Sequence, residues 1–200
     1  MIQKVLILLH FIFASIVCKA DYDALTASEL IEKSDLIAEC KIIDVSDGYF
    51  EIILIDIIKG NSDQKHLTVV RFQNWTCASR WANYKIGQSE LIFLKKDGFH
   101  NFWHTLGAGN EGEMGICGDS LYYKEANLRF DSLSKPLSFC DGDIFGYSYT
   151  LLDVKTSIKK YLIDVLIIKK QIAGKATRKY IVQYAFLNRI IAELKERKSK

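Results

Sequence analysis

The sequence has little proline and carries no motif of a known catalytic site. Pro136 is the only proline among 200 residues, and there are 12 glycines, which leaves little material for a flexible linker. No Gly-x-Ser-x-Gly elbow, no phosphate loop ending in Gly-Lys-Ser/Thr and no Cys-x-x-Cys pair occurs. Serine hydrolysis, nucleotide binding and a zinc or redox cysteine pair therefore have no support. We expect one domain of ordinary size, with no cofactor, no bound metal and no catalytic residue.

Charge is distributed unevenly along the chain, although the net charge is only +3. Residues 21–154 hold 12 Lys/Arg against 21 Asp/Glu, whereas residues 155–200 hold 13 against 3. This asymmetry predicts a basic tail docked on an acidic body, or a tail that binds an anionic partner, and we favour docking. The acidic body argues against nucleic acid, because phosphate binding requires Lys and Arg.

The first 20 residues have the layout of a secretory signal peptide. Lys4 precedes the apolar run 5–17, small residues follow, and Ala20 stands at the cleavage position, so the mature chain is expected to begin at Asp21. The run is shorter than the ~20 apolar residues that span a bilayer. We therefore expect a secreted or extracytoplasmic protein, with lipid attachment at Cys18 as the less favoured alternative.

Export to an oxidising compartment would allow the cysteines to form disulfides. If Cys18 is removed with the signal, the mature chain keeps Cys40, Cys77, Cys117 and Cys140. In an oxidising compartment these four predict two structural disulfides, and three connectivities remain open. The sequence Asn74-Trp75-Thr76 is also a glycosylation site if the source is eukaryotic.

The mature chain begins with a short helix and continues as a series of strands. Thr26 and Glu29 form a capping box, which predicts a helix of about two turns. Strands are predicted at 36–45, 49–58, 66–73, 90–96 and 101–106, with a long loop at 74–89, a flexible glycine-rich loop at 107–118 and short strands or turns at 120–123 and 126–130. Turn signals at such short intervals indicate an antiparallel barrel or sandwich rather than alternating β-α units.

The hairpin at 34–60 is the central element of the predicted barrel, and the other elements are expected to pair with it or pack against it. Its strands are apolar on both faces, and the second places Leu54 and Ile58 on one face and Ile53, Ile55 and Ile57 on the other. A strand that is apolar on both faces is covered on both, so one face should meet a core and the other a helix or second layer.

The last 50 residues change to helical periodicity and supply that cover. One apolar series begins at Val154 and another at Tyr180, and Gly174 lies between them, which predicts an amphipathic helical hairpin. The expected organisation is a signal peptide at 1–20, a barrel domain at 21–150 and a basic helical hairpin packed on the barrel at 151–200. Self-association through a heptad seam and contact with an anionic membrane are the alternatives for the tail.

Three short motifs resemble one family. They are Ser34-Asp35-Leu36-Ile37 opening a strand, Ile57-Ile58-Lys59-Gly60 ending the next, and Tyr84-Lys85-Ile86-Gly87 followed by Leu91-Ile92-Phe93-Leu94. Over residues 30–120 this order resembles the netrin-like, or TIMP-like, branch of the OB-fold. The resemblance implies a mainly β protein: a small antiparallel five-stranded barrel with flanking helices, secreted and disulfide-linked, in a family of interaction modules.

The resemblance also implies one specific mechanism. In the inhibitor branch, an N-terminal Cys chelates the catalytic zinc of a metalloprotease through its free amine and carbonyl. Cys18 would serve only if cleavage followed Val17, and residue 20 is Ala where the family has a second Cys. Both departures count against inhibition, which we keep as an alternative.

Few side chains stand out as candidate site residues. Trp75, Trp81 and Tyr84 are candidates for an aromatic platform that binds a partner or a glycan, although core packing explains them equally well. His100 and His104 flank a predicted strand and would lie about 13 Å apart, too far to share a metal. Asp141 and Asp143 lack the ligand spacing of a calcium loop.

The leading hypothesis is an exported, non-enzymatic domain that binds a protein or a cell-surface component. It depends on the expected disulfide-linked fold, on the lack of a catalytic motif and on the resemblance to a family of interaction modules. The alternatives are a metalloprotease inhibitor and a hydrolase or glycan-active enzyme with an unrecognised site.

Overall fold

A closed five-stranded barrel lies at the centre of the protein. Its strands are β1 (Leu36–Val45), β2 (Tyr49–Lys59), β3 (His66–Val70), β4 (Ser89–Lys96) and β5 (Trp103–Thr105). In the computed structural model they follow the order β1-β2-β3-β5-β4, and β4 pairs again with β1 to close the barrel. All neighbours are antiparallel except β3 and β5. This is the small OB-like barrel that the sequence predicted. The structure describes residues 24–74, 80–98, 100–107, 111–123, 137–140, 142–144, 146–173 and 184–198.

Further strands and helices surround the barrel in the described part of the chain. The strands are β6 (Glu113–Cys117), β7 (Ser120–Tyr123), β8 (Leu137–Phe139), β9 (Gly142–Ile144) and β10 (Tyr147–Thr150), and the helices are α1 (Ala27–Lys33), α2 (Leu151–Ala173) and α3 (Ala185–Lys198). Strands β6, β7 and β10 extend the sheet from β4, and β8 pairs with β9. The three helices agree with the predicted N-terminal helix and C-terminal helical hairpin.

The glycine-rich stretch 107–118 is not the flexible loop that the sequence predicted. Residues 113–117 form β6, which pairs with the first half of β4. The second half of β4 pairs with β5 instead. Because β5 reaches only that half, the first half has a free edge, and β6 supplies its hydrogen bonds. The predicted short strand or turn at 126–130 lies outside the described residues.

The barrel interior is filled by alternate residues of its strands, since successive side chains of a strand point to opposite faces. These buried residues are Leu36, Ala38, Cys40, Ile42, Phe50, Ile52, Leu54, Leu67, Val69, Ile92, Leu94 and Trp103. Each fully buried aliphatic or aromatic side chain contributes roughly 1.5–3 kcal/mol, so this set is a main source of stability.

The end of β2 departs from the predicted alternation. Ile57 packs with the barrel interior, Ile58 packs with the helices outside, and Ile55 is exposed. The pairing of β2 with β1 is irregular here, since neither Ile55 nor Ile58 has a partner in the register. An extra residue in one strand reverses which face the following side chains occupy. The predicted grouping of Ile57 with Ile55 on one face is therefore wrong.

The outer faces of β1 and β4 are covered by the helices. The doubly apolar pattern predicted such cover for both β1 and β2, but the outer face of β2 is largely exposed, at Tyr49, Glu51 and Ile55. This second core contains residues from the strands and all three helices: Ile37, Leu91, Phe93, Met114, Leu121 and Tyr123 from the sheet, Ala27, Leu30 and Ile31 from α1, Val154, Ile158, Tyr161 and Ile168 from α2, and Phe186, Leu187 and Ile190 from α3. The helical hairpin thus packs on the barrel and completes the fold.

Several basic residues of the tail pair with acidic residues of the body. Lys155 lies 2.8 Å from Glu39 and 2.5 Å from Asp56. Lys169 lies 2.8 Å from Glu32, and a further pair, at 2.6 Å, joins Arg197 to Glu29. Such partly exposed pairs contribute little individually, about 0–1 kcal/mol. They nevertheless join three basic residues of the tail to four acidic residues of the body.

Helix α3 is capped by side chains of α2. The first N–H groups of a helix have no partner within the helix. Here the N–H of Phe186 donates to Asp153 Oδ2 at 2.9 Å, and the N–H of Leu187 donates to Ser157 Oγ at 3.1 Å. The two helices are therefore joined by hydrogen bonds as well as by apolar packing.

We expect Asp153→Ala to lower the free energy of unfolding by about 1 kcal/mol, because it removes this cap. Urea unfolding monitored by circular dichroism measures the change. The matched control is Asp164→Ala on the same helix, whose carboxylate lies 3.9 Å from Lys160 and should cost less than about 0.5 kcal/mol. Equal losses in the two variants would contradict the capping role.

The cysteines only partly follow the prediction. Cys117 and Cys140 form a disulfide, with their Cα atoms 5.8 Å apart. Cys40, predicted to be a disulfide cysteine, is instead a free thiol in the barrel interior. Its strand position points it inward, and burial raises its pKa, so the thiol is unreactive. Cys77 lies outside the described residues, and its pairing stays a prediction.

No described helix is both long enough and apolar enough to cross a membrane.

Candidate functional site

A polar cleft of about 350 Å³ opens at one end of the barrel. Three segments form its walls: the β1–β2 turn, the residues after β3 and the residues before β4. The lining residues are Asp47, Gly48, Arg71, Phe72, Gln73, Asn74, Arg80, Ala82, Asn83 and Tyr84. Most are polar or aromatic, so the cleft offers hydrogen-bonding groups and ring faces to a ligand.

The wall of the cleft is fixed by a buried arginine. Arg80 is only 7% exposed. Its Nε donates to Glu113 and its Nη2 donates to Glu90, and both of these glutamates are fully buried. Its Nη1 donates to the Ala82 carbonyl at 2.6 Å and to Gln88 Oε1 at 3.2 Å. All three guanidinium nitrogens are thus engaged, so Arg80 is a structural group and not a free cation.

The two glutamates come together because of strand register. Glu90 on β4 pairs with Gly115 on β6, and Ile92 pairs with Glu113, so both carboxylates lie on the same face of the sheet. Gly115 leaves room for the ring of Trp81, since a Cβ there would lie 2.5 Å from a ring carbon. The 80–84 segment therefore fits against the sheet at the edge of the barrel.

Tyr84 links the buried network to the cleft. Its hydroxyl donates to Glu113 Oε1 at 2.9 Å and accepts from the N–H of Phe72 at 2.9 Å. Its ring lies 4.7 Å from that of Phe50, centroid to centroid, and 3.9 Å from the Arg80 guanidinium carbon. Burial and the nearby Glu113 raise the pKa of Tyr84, so its hydroxyl stays protonated and remains a donor.

The Glu90–Arg80–Glu113 cluster holds more acid than base. Burial raises the pKa of Glu113, and the Arg80 guanidinium opposes this rise only in part, since it also serves Glu90. Among the described residues, Glu90 Oε2 has no hydrogen-bond partner. A second full negative charge is therefore costly in this buried site.

This raised pKa predicts a dependence of stability on pH. The folded chain binds the Glu113 proton more tightly than the unfolded chain. The stability that this proton adds is complete below the ordinary pKa of 4.5. It is lost as the pH rises through the folded-state pKa. We expect Glu113→Gln to flatten this loss in urea unfolding as the pH is raised above 4.5. The exposed Glu51→Gln serves as the control, and an unchanged slope in Glu113→Gln would contradict the assignment.

The groups that face solvent in the cleft differ from those that build it. Asp47, Gln73 and Asn83 are exposed. Arg71 is half-buried, donates from Nη1 to the Ser46 carbonyl at 2.9 Å and lies 4.9 Å from the Tyr84 ring. Because the lining residue Asn74 is exposed as well, the cleft presents one cation, one anion and three amides to a ligand. The two charges cancel, and the amides can both donate and accept. These groups therefore suit an uncharged polar ligand that offers both donors and acceptors.

The described residues of the predicted aromatic platform lie in different surroundings. Tyr84 lines the cleft, whereas Trp81 packs over Gly115 and is not among the lining residues. Trp75 lies outside the described residues. Sequence reasoning missed Arg80, Glu90 and Glu113. A signal was available in Glu90, a charged residue that opens the otherwise apolar run ELIFL.

The two histidines are closer than predicted. His100 Nδ1 and His104 Nε2 lie 3.3 Å and 3.5 Å from the same Asp97 carboxylate oxygen. The expectation of about 13 Å assumed one continuous strand, but β5 begins only at Trp103. Neither these three side chains nor any other group of His, Cys, Asp and Glu among the described residues has an arrangement that could hold a metal ion. Asp141 and the side chain of Asp143 lie outside that part of the structure.

Comparison with known proteins gives little further information. No protein-family model matches the chain, and no curated protein matches it. A solved crystal structure described as that of an exosome complex RNA-binding protein aligns with 84% of this chain and 97% of its own, at 13% identity and a TM-score of 0.27. A similarity this low supports no conclusion about fold or function.

Proposed function

We propose that this protein is an exported, non-enzymatic binding domain that holds part of a protein or of a cell-surface component in the cleft. One observation carries the proposal: the buried Arg80 cluster holds the cleft wall in place, while a separate set of polar groups faces solvent. A preformed site of this kind loses little conformational entropy on binding. The motifs that resemble netrin-like modules and the leader-like N-terminus support export and an interaction role.

The chemistry of the cleft favours binding over catalysis. Its described lining contains no Cys, Ser, Thr, His or Lys side chain, which are the common nucleophiles and proton-transfer groups. Asp47 is the solvent-facing carboxylate, and it lies on an exposed turn. The amides of Gln73 and Asn83 can each donate and accept. Hydroxyl-rich glycans and peptide main chains are the partners that such a surface would recognise.

Site-specific photo-crosslinking tests the proposal. A photoreactive amino acid replaces exposed Asn83 in the cleft, and the full chain is exposed to the extracellular fraction and surface of its native cells. We expect a discrete cross-linked product, because a bound partner would cover this wall. Arg71→Glu in the same chain should reduce the yield about tenfold or more, since it removes the cation of the cleft and adds a second anion beside Asp47.

The control places the same photoreactive residue at Lys65. This residue lies in the turn after β2, whereas the cleft is bordered by the turn before β2, so the two probes sample opposite ends of the barrel. Identical products from both positions, or a yield that Arg71→Glu leaves unchanged, would contradict the proposal.

The alternative functions have their own tests. Metalloprotease inhibition depends on the mature N-terminus, which lies outside the described residues, so mass spectrometry of that terminus decides it: a chain beginning at Asp21 excludes chelation by Cys18. A broad hydrolase screen addresses catalysis. Activity that disappears on replacing a single carboxylate or histidine would establish an enzyme and overturn the binding proposal.

A further inference from the structure

The outward face of α2 carries aliphatic side chains that no described residue covers. Ile163 is 81% exposed, Leu166 is 71% exposed and Ile167 is 50% exposed. Their spacing of three and four residues places them side by side on the helix. The opposite face, with Val154, is buried in the core between the helices and the barrel, and these three side chains take no part in the core of the described residues.

Two lysines bracket this outer patch, which we define as Lys159, Ile163, Leu166, Ile167 and Lys170. Both lysines are exposed, and within the described residues neither has an ion pair or hydrogen bond. They lie one turn before and one turn after the aliphatic side chains, so all five share one face.

Other lysines of α2 are already paired. Lys155 contacts Glu39 and Asp56, and Lys169 contacts Glu32. Lys160 lies 3.9 Å from Asp164, the acidic residue in this part of the helix. The outer patch therefore combines apolar surface with two unneutralised positive charges and contains no negative charge.

This combination disfavours a second copy of the chain as the occupant. In a parallel pairing each bracketing lysine faces its own equivalent, and in an antiparallel pairing Lys159 faces Lys170. Like charges therefore meet in either arrangement, which is destabilising. The patch also lacks Trp, Tyr and Arg, the residues that dominate protein–protein hot spots, whereas lysine is depleted at such interfaces.

We propose that the outer patch binds an anionic lipid surface, with α2 lying in the plane of the membrane interface. Aliphatic side chains flanked by lysines are typical of helices that rest on membranes, where the ammonium groups reach anionic headgroups and the apolar groups enter the acyl boundary. The inference is independent of the cleft, because the outer patch shares no residue with it.

Vesicle co-sedimentation of the full chain tests the inference. The vesicles contain phosphatidylcholine alone or with about 30% phosphatidylglycerol, a lipid that supplies negative surface charge. We expect binding to the anionic vesicles that weakens as salt rises. Lys159→Gln/Lys170→Gln should reduce the partition coefficient about 25-fold, since each lysine near such a surface contributes about fivefold. Ile163→Ser/Leu166→Ser/Ile167→Ser should reduce it at least about tenfold.

Matched controls change the same chemistry elsewhere. Ile86→Ser replaces an isoleucine that is 67% exposed on the barrel, and Lys65→Gln/Lys85→Gln removes two charges from that body. Both should bind anionic vesicles as the wild type does. Circular dichroism verifies folding, and the lysine pair provides an independent test if the triple variant fails to fold.

Several results would overturn the inference. These are equal binding to neutral and anionic vesicles, no effect of either outer-patch variant, a dimer in solution that the triple variant abolishes, and a Leu166→Cys thiol that resists labelling in the free chain. The last two would show that a second copy or another segment of the same chain covers the patch. Binding of a protein partner through this patch, without binding to anionic vesicles, would likewise contradict it.

Discussion

Replacing Arg80 with methionine should lower the free energy of unfolding by about 3–5 kcal/mol. The change removes the guanidinium that donates to Glu90 and Glu113 but leaves both carboxylates fully buried. Their repulsion and desolvation then have no compensation. Tyr84 also loses its contact with the guanidinium, and its hydroxyl would remain the main neutral donor to Glu113. Urea unfolding measures the loss.

Two further variants distinguish the loss of a charge partner from simple truncation. Arg71→Met changes the half-buried arginine of the same cleft and should cost less than about 1 kcal/mol, because its hydrogen bond to Ser46 is exposed. Adding Glu90→Gln and Glu113→Gln to Arg80→Met should restore much of the stability, since no buried charge is then left. A triple variant no more stable than Arg80→Met alone would show that the charge argument is wrong.

The second large effect is expected at Glu193, which joins α3 to the start of α1 and to β7. Glu193 Oε2 accepts from the N–H of Ala27 at the start of α1 at 2.9 Å, and Oε1 accepts from the Tyr123 hydroxyl at 2.7 Å. Glu193→Ala leaves these two buried donors unsatisfied, and each unsatisfied group costs about 1–3 kcal/mol. We expect a total loss of about 2–6 kcal/mol in urea unfolding.

The controls for Glu193 use its own helix and a conservative change. Glu196→Ala removes an exposed carboxylate one turn later in α3 and should change stability by less than about 0.5 kcal/mol. Glu193→Gln keeps one acceptor oxygen and should retain part of the stability. If Glu193→Ala and Glu196→Ala were equally mild, the link between α1, Tyr123 and α3 would have no energetic role.

The local features of the fold were predictable because their causes lie within a few residues. The capping box of Thr26 and Glu29 defines α1 by itself, with the Thr26 N–H donating to Glu29 Oε2 at 3.0 Å. Both faces of β1 are apolar, which indicated that both would be covered. The helical periodicity after residue 150 predicted the helices that cover the outer face. The barrel and the helices follow from these patterns.

The site was less predictable because it depends on register between distant strands. Glu113 stands in a glycine-rich stretch that is typical of a loop, and only its pairing with β4 brings it beside Glu90. Arg80 meets both carboxylates across separations of 10 and 33 residues. The irregular pairing at Ile55 and Ile58 and the inward position of Cys40 likewise arise from pairing. No tight turn joins β4 to β6, so the sequence contains no turn geometry that would fix the register of Glu90 and Glu113.

The central claim is that the cleft beside the Arg80 cluster is the binding surface, and mapping the partner by NMR tests it most directly. Backbone amide signals of the labelled chain are recorded with and without the partner identified by cross-linking at position 83. We expect the largest changes at Asp47, Gly48 and residues 71–74 and 80–84. Changes confined to the turn at residues 62–65, or an undisturbed cleft in a saturated complex, would contradict the claim.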